Sequence, residues 1–109
     1  MTALVTGSAA SSLVFRTTNG GATWQQVFSE PGGFGDAIWM TSSLNGFLYG
    51  DPVGARWSLW KTVNGGLTWD STGMFLAKSG SEGGYNNAMY VAGTNIWIGT
   101  NNSLSLIHI

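Results

Sequence analysis

LVFRTTNGGATW, from Leu13 to Trp24, returns in closely similar form as LWKTVNGGLTW, from Leu59 to Trp69. Trp24 and Trp69 stand 45 positions apart, and superposing them makes six of the ten positions that end there identical. An Asn-Gly pair between two apolar runs is a strong signal for a β-hairpin, because Gly adopts positive φ at no steric cost and Asn tolerates it. The chain therefore carries an internal repeat that contains two hairpins.

The rest of the period repeats more loosely. DAIWM at 36–40 resembles NAMYV at 87–91, LYG at 48–50 resembles WIG at 97–99, and LVTG at 4–7 is a fainter third copy. These runs are rich in aromatic and β-branched residues and are separated by Gly, Ser and Asn, which is typical of strands. We expect strands at 2–6, 12–18 and 22–28; at 36–40, 46–50, 56–62 and 67–71; and at 87–91, 95–99 and 104–109.

Four strands in a period near 45 residues are typical of a β-propeller blade, and propellers close with roughly four to eight blades. The 109 residues hold fewer than three such periods, so we expect a fragment of a larger ring. A compact β-sandwich is the alternative architecture.

The composition excludes several classes of protein. Charged residues make up 8% of the chain, against roughly 25% in an ordinary domain, which excludes a coiled coil or a long helical bundle. Six Trp residues need burial, which argues against charge-driven disorder. The net charge of −1 gives no basic footprint for nucleic acid, and no apolar run reaches membrane-spanning length. Cys is absent, which removes disulfides and thiolate metal sites.

The two hairpin motifs resemble the Asp-box, or BNR, repeat, Ser/Thr-x-Asp-x-Gly-x-Thr-Trp. Segments 17–24 and 62–69 fit this pattern with Asn in place of Asp, and the wider stretch 50–69 resembles propellers related to photosystem II assembly and stability factors. The resemblance implies an all-β partial β-propeller of two to three four-stranded antiparallel blades, with the Asp boxes in the turns between third and fourth strands. It implies an extracytoplasmic or secreted parent protein. The blades are expected at about 1–29, 30–72 and 73–103, the last incomplete, and LSLIHI at 104–109 departs from the family pattern.

We expect the Asp box to be a structural device. Each Asn side chain is expected to accept hydrogen bonds from backbone N–H groups of its turn, each Thr before the Trp to pair across strands, and each Trp to fill the gap between blades. A cation or sugar site at the two Asn residues is the functional alternative. The predicted structural residues are Thr17, Asn19, Gly21, Thr23, Trp24, Thr62, Asn64, Gly66, Thr68 and Trp69.

The remaining charges favour a ligand site at the opposite end of the blades. In an antiparallel blade the connections between second and third strands, and between consecutive blades, share the end away from the Asp boxes. Asp36 and the loop from Asp51 to Arg56 are therefore expected at one rim. There are two non-functional alternatives. The charges collect there only because loops are solvated, or Asp51 and Arg56 form an ion pair that holds the loop together. Trp57 is expected to be partly exposed there and Trp69 to be buried. The candidate ligand-binding residues are Asp36, Asp51, Arg56, Trp57, Glu82 and Tyr85.

No catalytic constellation, metal site or cofactor site is predicted. The chain has two Arg residues, and Arg16 lies at the Asp-box end, so the arginine cluster of sialidases is missing. The first hypothesis is a non-catalytic binding or assembly scaffold whose partners are the remaining blades and a glycan or protein ligand. No nucleic-acid partner and no membrane span are expected. The alternative is a fragment of a glycoside hydrolase, sialidase-like or xyloglucanase-like, with most catalytic residues on other blades.

Overall fold

The structure is a computed structural model that describes residues 2–8, 11–78, 83–101 and 104–108. This part of the chain is all-β, with nine strands and no helix. The strands form three antiparallel, three-stranded sheets, each built from strands that are consecutive in the chain. Sheet 1 contains β1 (Ala3–Ser8), β2 (Ser11–Thr17) and β3 (Gln25–Pro31); sheet 2 contains β4 (Gly35–Met40), β5 (Gly46–Val53) and β6 (Arg56–Thr62); sheet 3 contains β7 (Gly84–Ala92), β8 (Asn95–Thr100) and β9 (Leu104–His108).

The fourth strand expected at 67–71 is missing from sheet 2, so the expectation of four-stranded blades is wrong for the described residues. Among the described residues, one isolated bridge, from Lys61 to Asp70, joins this segment to β6, and a second joins Arg56 to Ala77 further along the chain. The physical reason is a turn: the Asp70 carboxylate accepts hydrogen bonds from the backbone N–H and the hydroxyl of Thr72. Because the chain turns here, residues 67–71 do not continue as a strand hydrogen-bonded to β6.

The segment 104–109 begins with a strand. Leu104–His108 forms β9 and pairs with β8 in antiparallel register. The segment that departs from the expected Asp-box pattern therefore supplies the third strand of sheet 3.

Sheet 2 lies between the other two sheets and buries both of its faces. Its first strand, β4, packs against β1 of sheet 1 and β7 of sheet 3. In the register of sheet 2, Tyr49 lies opposite Leu59 and Leu48 lies opposite Trp60. Because side chains alternate between the two faces of a strand, these pairs belong to opposite faces. The first pair faces sheet 3, and the second faces sheet 1.

The contact between sheets 2 and 3, here called the second seam, contains the main hydrophobic core. The Tyr49 and Trp57 rings lie 6.2 Å apart within it. Trp39 and Phe47 pack against its edge. Its buried residues are Ala37, Tyr49, Trp57, Leu59, Met74, Met89, Val91, Ile96 and Ile98.

The contact between sheets 1 and 2, the first seam, is smaller. Phe28 of β3 and Trp60 of β6 meet edge to face across it, with ring centroids 4.9 Å apart. Val14 of β2 and Leu48 of β5 are fully buried. A side chain added at Gly35 would collide with Thr6, so β1 and β4 approach closely at this seam.

Three expectations about Trp residues are wrong in this chain. Trp24, expected to fill a gap between blades, is 45% exposed, and Trp69 is partly exposed rather than buried. Each indole folds back over its own turn and donates its Nε1–H to the Gly21 or Gly66 carbonyl oxygen at 3.1 Å. Trp57, expected to be partly exposed, is 1% exposed, because alternation along β6 places it beside Leu59 in the second seam.

We predict that Trp57→Ala destabilises the fold far more than Trp24→Ala. Truncating a fully buried Trp removes core contacts and leaves a cavity, at a cost of about 3–5 kcal/mol. Truncating the exposed Trp24 removes one hydrogen bond and is expected to cost roughly 1 kcal/mol. Urea unfolding followed by circular dichroism measures both losses. Equal losses would contradict the placement of Trp57 in the core.

Candidate functional site

The turns between strands fall at two ends of the sheets. The turn after β6 contacts the β4–β5 turn and the end of β2, since Gly65 donates its N–H to the Leu44 carbonyl oxygen and its own carbonyl oxygen accepts from Arg16 Nε, each at 2.9 Å. The β2–β3 turn follows Arg16 and lies at the same end of the strands. This end is called the box end. The β3–β4 connection, the β5–β6 turn, residues 74–78 and residues 83–84 lie at the opposite end of the strands, called the loop end.

Hydrogen bonds within the turn use both side-chain groups of Asn19. Its Oδ1 accepts from the Thr17 hydroxyl at 2.8 Å and from the Thr23 N–H at 3.0 Å, and its Nδ2 donates to the Thr23 hydroxyl at 2.8 Å. Gly21, at φ 94°, donates its N–H to the Thr17 hydroxyl at 3.1 Å. The expectation that Thr23 pairs across strands is wrong, because the Asn amide lies closer and engages its hydroxyl.

The second turn has the same pattern. Asn64 Oδ1 accepts from the Thr62 hydroxyl and the Thr68 N–H, each at 3.0 Å, and Asn64 Nδ2 donates to the Thr68 hydroxyl at 2.7 Å. The expected cross-strand pairing of Thr68 is therefore also wrong. A hydroxyl both donates and accepts, so an Asp at this position would accept where the Asn donates. The hydrogen-bond pattern of the two turns is therefore compatible with either Asn or Asp at this position.

The second turn also holds two sheets together. Arg16 of β2 donates its Nε–H to the Gly65 carbonyl oxygen at 2.9 Å. A side chain at Gly66 would collide with Leu4 of β1, so the turn packs directly on sheet 1. These contacts assign a structural role to the box end.

Two carboxyl groups meet at the loop end. Asp36, in β4, is 4% exposed, and its Oδ2 has no hydrogen-bond donor among the described residues. Burial raises the pKa of Asp36 from 3.8 to about 7, and the charge of Asp51 and a hydrogen bond with its carboxyl group add to this shift. Two close carboxylates disfavour double ionisation, so the pair holds one shared proton below neutral pH. The candidate ligand residue Asp36 lies beneath Asp51 and does not reach the surface.

The start of β7 is fastened to this carboxyl pair. Gly84 donates its N–H to Asp51 Oδ1 at 2.7 Å. The Tyr49 hydroxyl accepts from the Tyr85 N–H at 3.1 Å and lies within 3.1 Å of the Tyr85 and Gly99 carbonyl oxygens. Burial, followed by the charge of Asp36, raises the pKa of Tyr49, so this phenol stays protonated as a donor.

The carboxyl pair leaves no room for a side chain at Gly84. A Cβ there would collide with Asp36 Oδ2 and with the Tyr49 hydroxyl. The close approach of the β7 backbone therefore depends on glycine at this position.

Tyr85 and Asn101 form the exposed rim of the site. The Tyr85 side chain is 56% exposed. Asn101 accepts from the Gly83 N–H through Oδ1 and donates its own N–H to the Gly83 carbonyl oxygen, both at 3.0 Å. The carboxyl pair, Tyr49, Tyr85 and Asn101 together are called the acid site. Its surface offers an aromatic ring and the partly exposed Asp51 carboxyl group.

The other candidate residues do not join the acid site. Arg56 donates from Nη2 to the Met74 carbonyl oxygen and lies 5.0 Å from the centroid of the Phe75 ring. Among the described residues, no ion pair joins Arg56 to Asp51, so the loop is not held together in this way. Trp57 belongs to the core. Glu82 lies outside the described residues.

Arg56 instead borders a second pocket at the loop end. This cavity of about 170 Å³ lies between β3 and β6 and is lined by Glu30 and Ser58 among others. The Ser58 hydroxyl donates to Glu30 Oε1 and accepts from the Trp60 indole N–H at 2.9 Å. The expected single rim is thus divided into the acid site and this smaller pocket.

Sequence reasoning missed Tyr49, Gly84 and Asn101. Tyr49 lies two positions before Asp51, so the period of two in a strand places both on one face. That signal was available. The contact with Gly84 crosses between sheets, and no local pattern indicates it.

We predict that deprotonation of Asp36 lowers the free energy of unfolding as pH rises from about 4 to about 7. The folded state binds the Asp36 proton more tightly than the unfolded state, so this stabilisation is present at low pH and is lost through the raised pKa. Asp36→Asn carries no charge and is expected to remove this fall and to raise the melting temperature at pH 8 by roughly 5 °C.

Thermal unfolding followed by circular dichroism at pH 5 and pH 8 provides the measurement. Asp70→Asn, at an exposed aspartate near the box end, is the control and keeps the fall between these two values. An unchanged slope in Asp36→Asn would show that Asp36 is not the group responsible.

No metal cluster of three or more His, Cys, Asp or Glu side chains occurs among the described residues, nor any helix that could cross a membrane. Comparison of the chain with protein-family models, curated proteins and solved structures finds no match. Membership of the Asp-box family therefore stays a prediction from the two turn motifs.

Proposed function

We propose that the chain forms blades of an Asp-box β-propeller that acts as a non-catalytic binding or assembly scaffold, with its ligand site at the loop end. Three consecutive antiparallel sheets that pack face to face support the blade architecture. The two Asp-box turns with one shared hydrogen-bond pattern support it further. The proposal includes further blades that complete the ring and an extracytoplasmic or secreted parent protein.

We place the ligand site at the loop end because its side chains keep more hydrogen-bonding groups free than those of the box end do. At the box end both groups of Asn19 and Asn64 are engaged within their own turns. At the loop end, Asp51 is partly exposed and the Tyr85 ring is open to solvent. A carboxylate accepts hydrogen bonds from sugar hydroxyls while an aromatic ring packs against the sugar face. This pairing favours a glycan over a protein ligand.

The short distance between the Asp36 and Asp51 carboxyl groups favours a binding role over glycoside hydrolysis. Glycosidases hold their two carboxyl groups roughly 5–9.5 Å apart, so that a sugar or a water molecule fits between them. Asp36 and Asp51 lie close enough to share a hydrogen bond. Arg16 and Arg56 are both committed to backbone carbonyl oxygens, away from the pair.

The glycoside hydrolase alternative has one observation in its favour. A carboxyl group with a pKa of about 7 suits a general acid. Its burial under Asp51 removes it from any substrate in this arrangement, so the scaffold is the better supported function.

We predict that Tyr85→Ala and Asp51→Asn each weaken glycan binding at least about tenfold, because each removes one half of the exposed site. Trp24→Ala is the matched control, since it removes another exposed aromatic ring, at the box end, and is expected to bind normally. A panel of neutral and anionic oligosaccharides, measured by isothermal titration calorimetry, supplies the test.

Loss of binding in Trp24→Ala but not in Tyr85→Ala would move the site to the box end. Absence of glycan binding by the folded chain would contradict a glycan ligand. Release of shorter sugars during the titration would favour the hydrolase alternative.

A further inference from the structure

Three Asn residues of the chain are each followed by Gly. Asn is a thermolabile residue, and a following Gly makes hydrolysis of its side-chain amide easiest, because Gly has no side chain to shield the backbone nitrogen next to that amide. The three pairs are Asn19-Gly20, Asn45-Gly46 and Asn64-Gly65. The fold gives their glycines very different surroundings.

Deamidation at an Asn-Gly pair needs water and no enzyme. The Gly backbone nitrogen loses its proton to water and attacks the Asn Cγ; the Cγ–Nδ2 bond breaks, and Nδ2 takes up a proton and leaves as ammonia. Water then opens the five-membered succinimide ring. Cleavage between Cγ and the Gly nitrogen gives Asp, whereas cleavage between the Asn main-chain carbonyl carbon and this nitrogen gives isoaspartate. The reaction therefore requires a Gly nitrogen that water can reach and that no hydrogen bond holds.

The fold protects the Asn64-Gly65 pair. Gly65 is buried, and its N–H donates to the Leu44 carbonyl oxygen at 2.9 Å. Its carbonyl oxygen accepts from Arg16 Nε at 2.9 Å, and a Cβ at Gly65 would lie 3.2 Å from the Ser43 carbonyl oxygen. Deprotonation of the Gly65 nitrogen would break a buried hydrogen bond, so Asn64 reacts only when the turn opens.

The Asn45-Gly46 pair is protected by a strand. Gly46 is the first residue of β5, where it is buried and lies opposite both Met40 and Thr62. A Cβ at Gly46 would collide with the Met40 side chain. Both neighbouring strands hold the main chain in place, so the succinimide ring forms only after local unfolding of β5.

The Asn19-Gly20 pair is open to solvent. Both residues are exposed, and a Cβ at Gly20 would meet no atom of a non-neighbouring residue within 4 Å. Among the described residues, the Gly20 N–H donates no hydrogen bond. The Asn19 and Asn64 side chains have corresponding partners in their own turns, so their hydrogen bonds restrain both alike. The two sites therefore differ in the glycine.

We propose that Asn19 is a site of spontaneous deamidation in the folded protein, and that the fold protects Asn45 and Asn64 from the same reaction. The two Asp-box turns are nearly identical in sequence. Packing of the second turn on sheet 1 and on the β4–β5 turn is what separates them. The reaction adds one negative charge to a chain whose formal net charge is −1. It takes place at the box end and does not depend on the proposed ligand.

The first turn favours Asp over isoaspartate as the product. An Asp at position 19 accepts from the Thr17 hydroxyl and the Thr23 N–H as Asn19 does, and from the Thr23 hydroxyl to which Asn19 donates. Isoaspartate inserts a methylene group into the main chain before Gly20 and displaces the carboxylate from these partners. Deamidation with retention of the turn therefore produces the acid that the Asp-box pattern carries.

Incubation of the folded chain at neutral pH and body temperature, followed by peptide mass spectrometry, tests the proposal. We expect Asn19 to deamidate at least about tenfold faster than Asn64, because reaction at Asn64 first requires loss of the Gly65 hydrogen bond. Asn45 is expected to react as slowly as Asn64.

The same chain in concentrated guanidinium chloride is the control. There the three pairs share one unfolded environment, and we expect their rates to converge. Equal rates at Asn19 and Asn64 in the folded chain would overturn the proposal. So would an Asn19 that stays intact in the folded chain while the unfolded chain reacts.

Two substitutions test the cause of the protection. Arg16→Ala removes the donor to the Gly65 carbonyl oxygen, so we expect faster deamidation of Asn64. Lys61→Ala is the matched control, because Lys61 is the repeat counterpart of Arg16 and its side chain has no contact with Gly65. It is expected to leave the Asn64 rate unchanged. An Asn64 rate that Arg16→Ala does not raise would contradict protection by the contact with sheet 1.

Separate measurement of the two products tests the role of the turn. An isoaspartyl methyltransferase labels isoaspartate and leaves Asp unlabelled. We expect a smaller isoaspartate fraction at position 19 in the folded chain than in guanidinium chloride. Equal fractions in the two samples would contradict selection of the product by the turn.

Discussion

The fold depends on the burial of both faces of sheet 2. Each strand of a sheet offers side chains to two sides, and in sheet 2 both sides are apolar: Tyr49 and Leu59 on one, Leu48 and Trp60 on the other. Burial of apolar area is the main stabilising contribution in folding, at roughly 25 cal/mol per Å². Among the described residues, sheets 1 and 3 each have one face covered by another sheet, namely sheet 2, so their stability depends on sheet 2.

The same packing positions the acid site. Asp36 lies in β4, the strand that touches both neighbouring sheets, and Gly84 is the first residue of β7. The approach of these strands in the second seam buries Asp36 under Asp51 and brings the β7 backbone to the Asp51 carboxylate. A ligand at the loop end would thus act on the joint between two sheets as well as on the residues it contacts.

Local chemistry made much of the fold predictable. The Asn-Gly turns, most strand positions and the acceptor role of Asn19 and Asn64 follow from residues close together in the chain, and the structure contains them, although the strand expected at 67–71 is missing. The exposure of Trp24 and the burial of Trp57 were not predictable in this way, since both depend on which sheet covers which face. For the same reason the sequence placed Asp36 and Asp51 at one end but missed their contact with Gly84 of another sheet.

Amide hydrogen exchange followed by nuclear magnetic resonance tests the central position of sheet 2 most directly. Amides in the middle strand of a sheet covered on both faces exchange only through global unfolding, whereas sheets covered on one face open locally at lower cost. The account predicts that the β5 amides of Leu48 and Tyr49 exchange more slowly than those of Val14 in β2 and Ile98 in β8. Equal exchange rates in the three middle strands would contradict it.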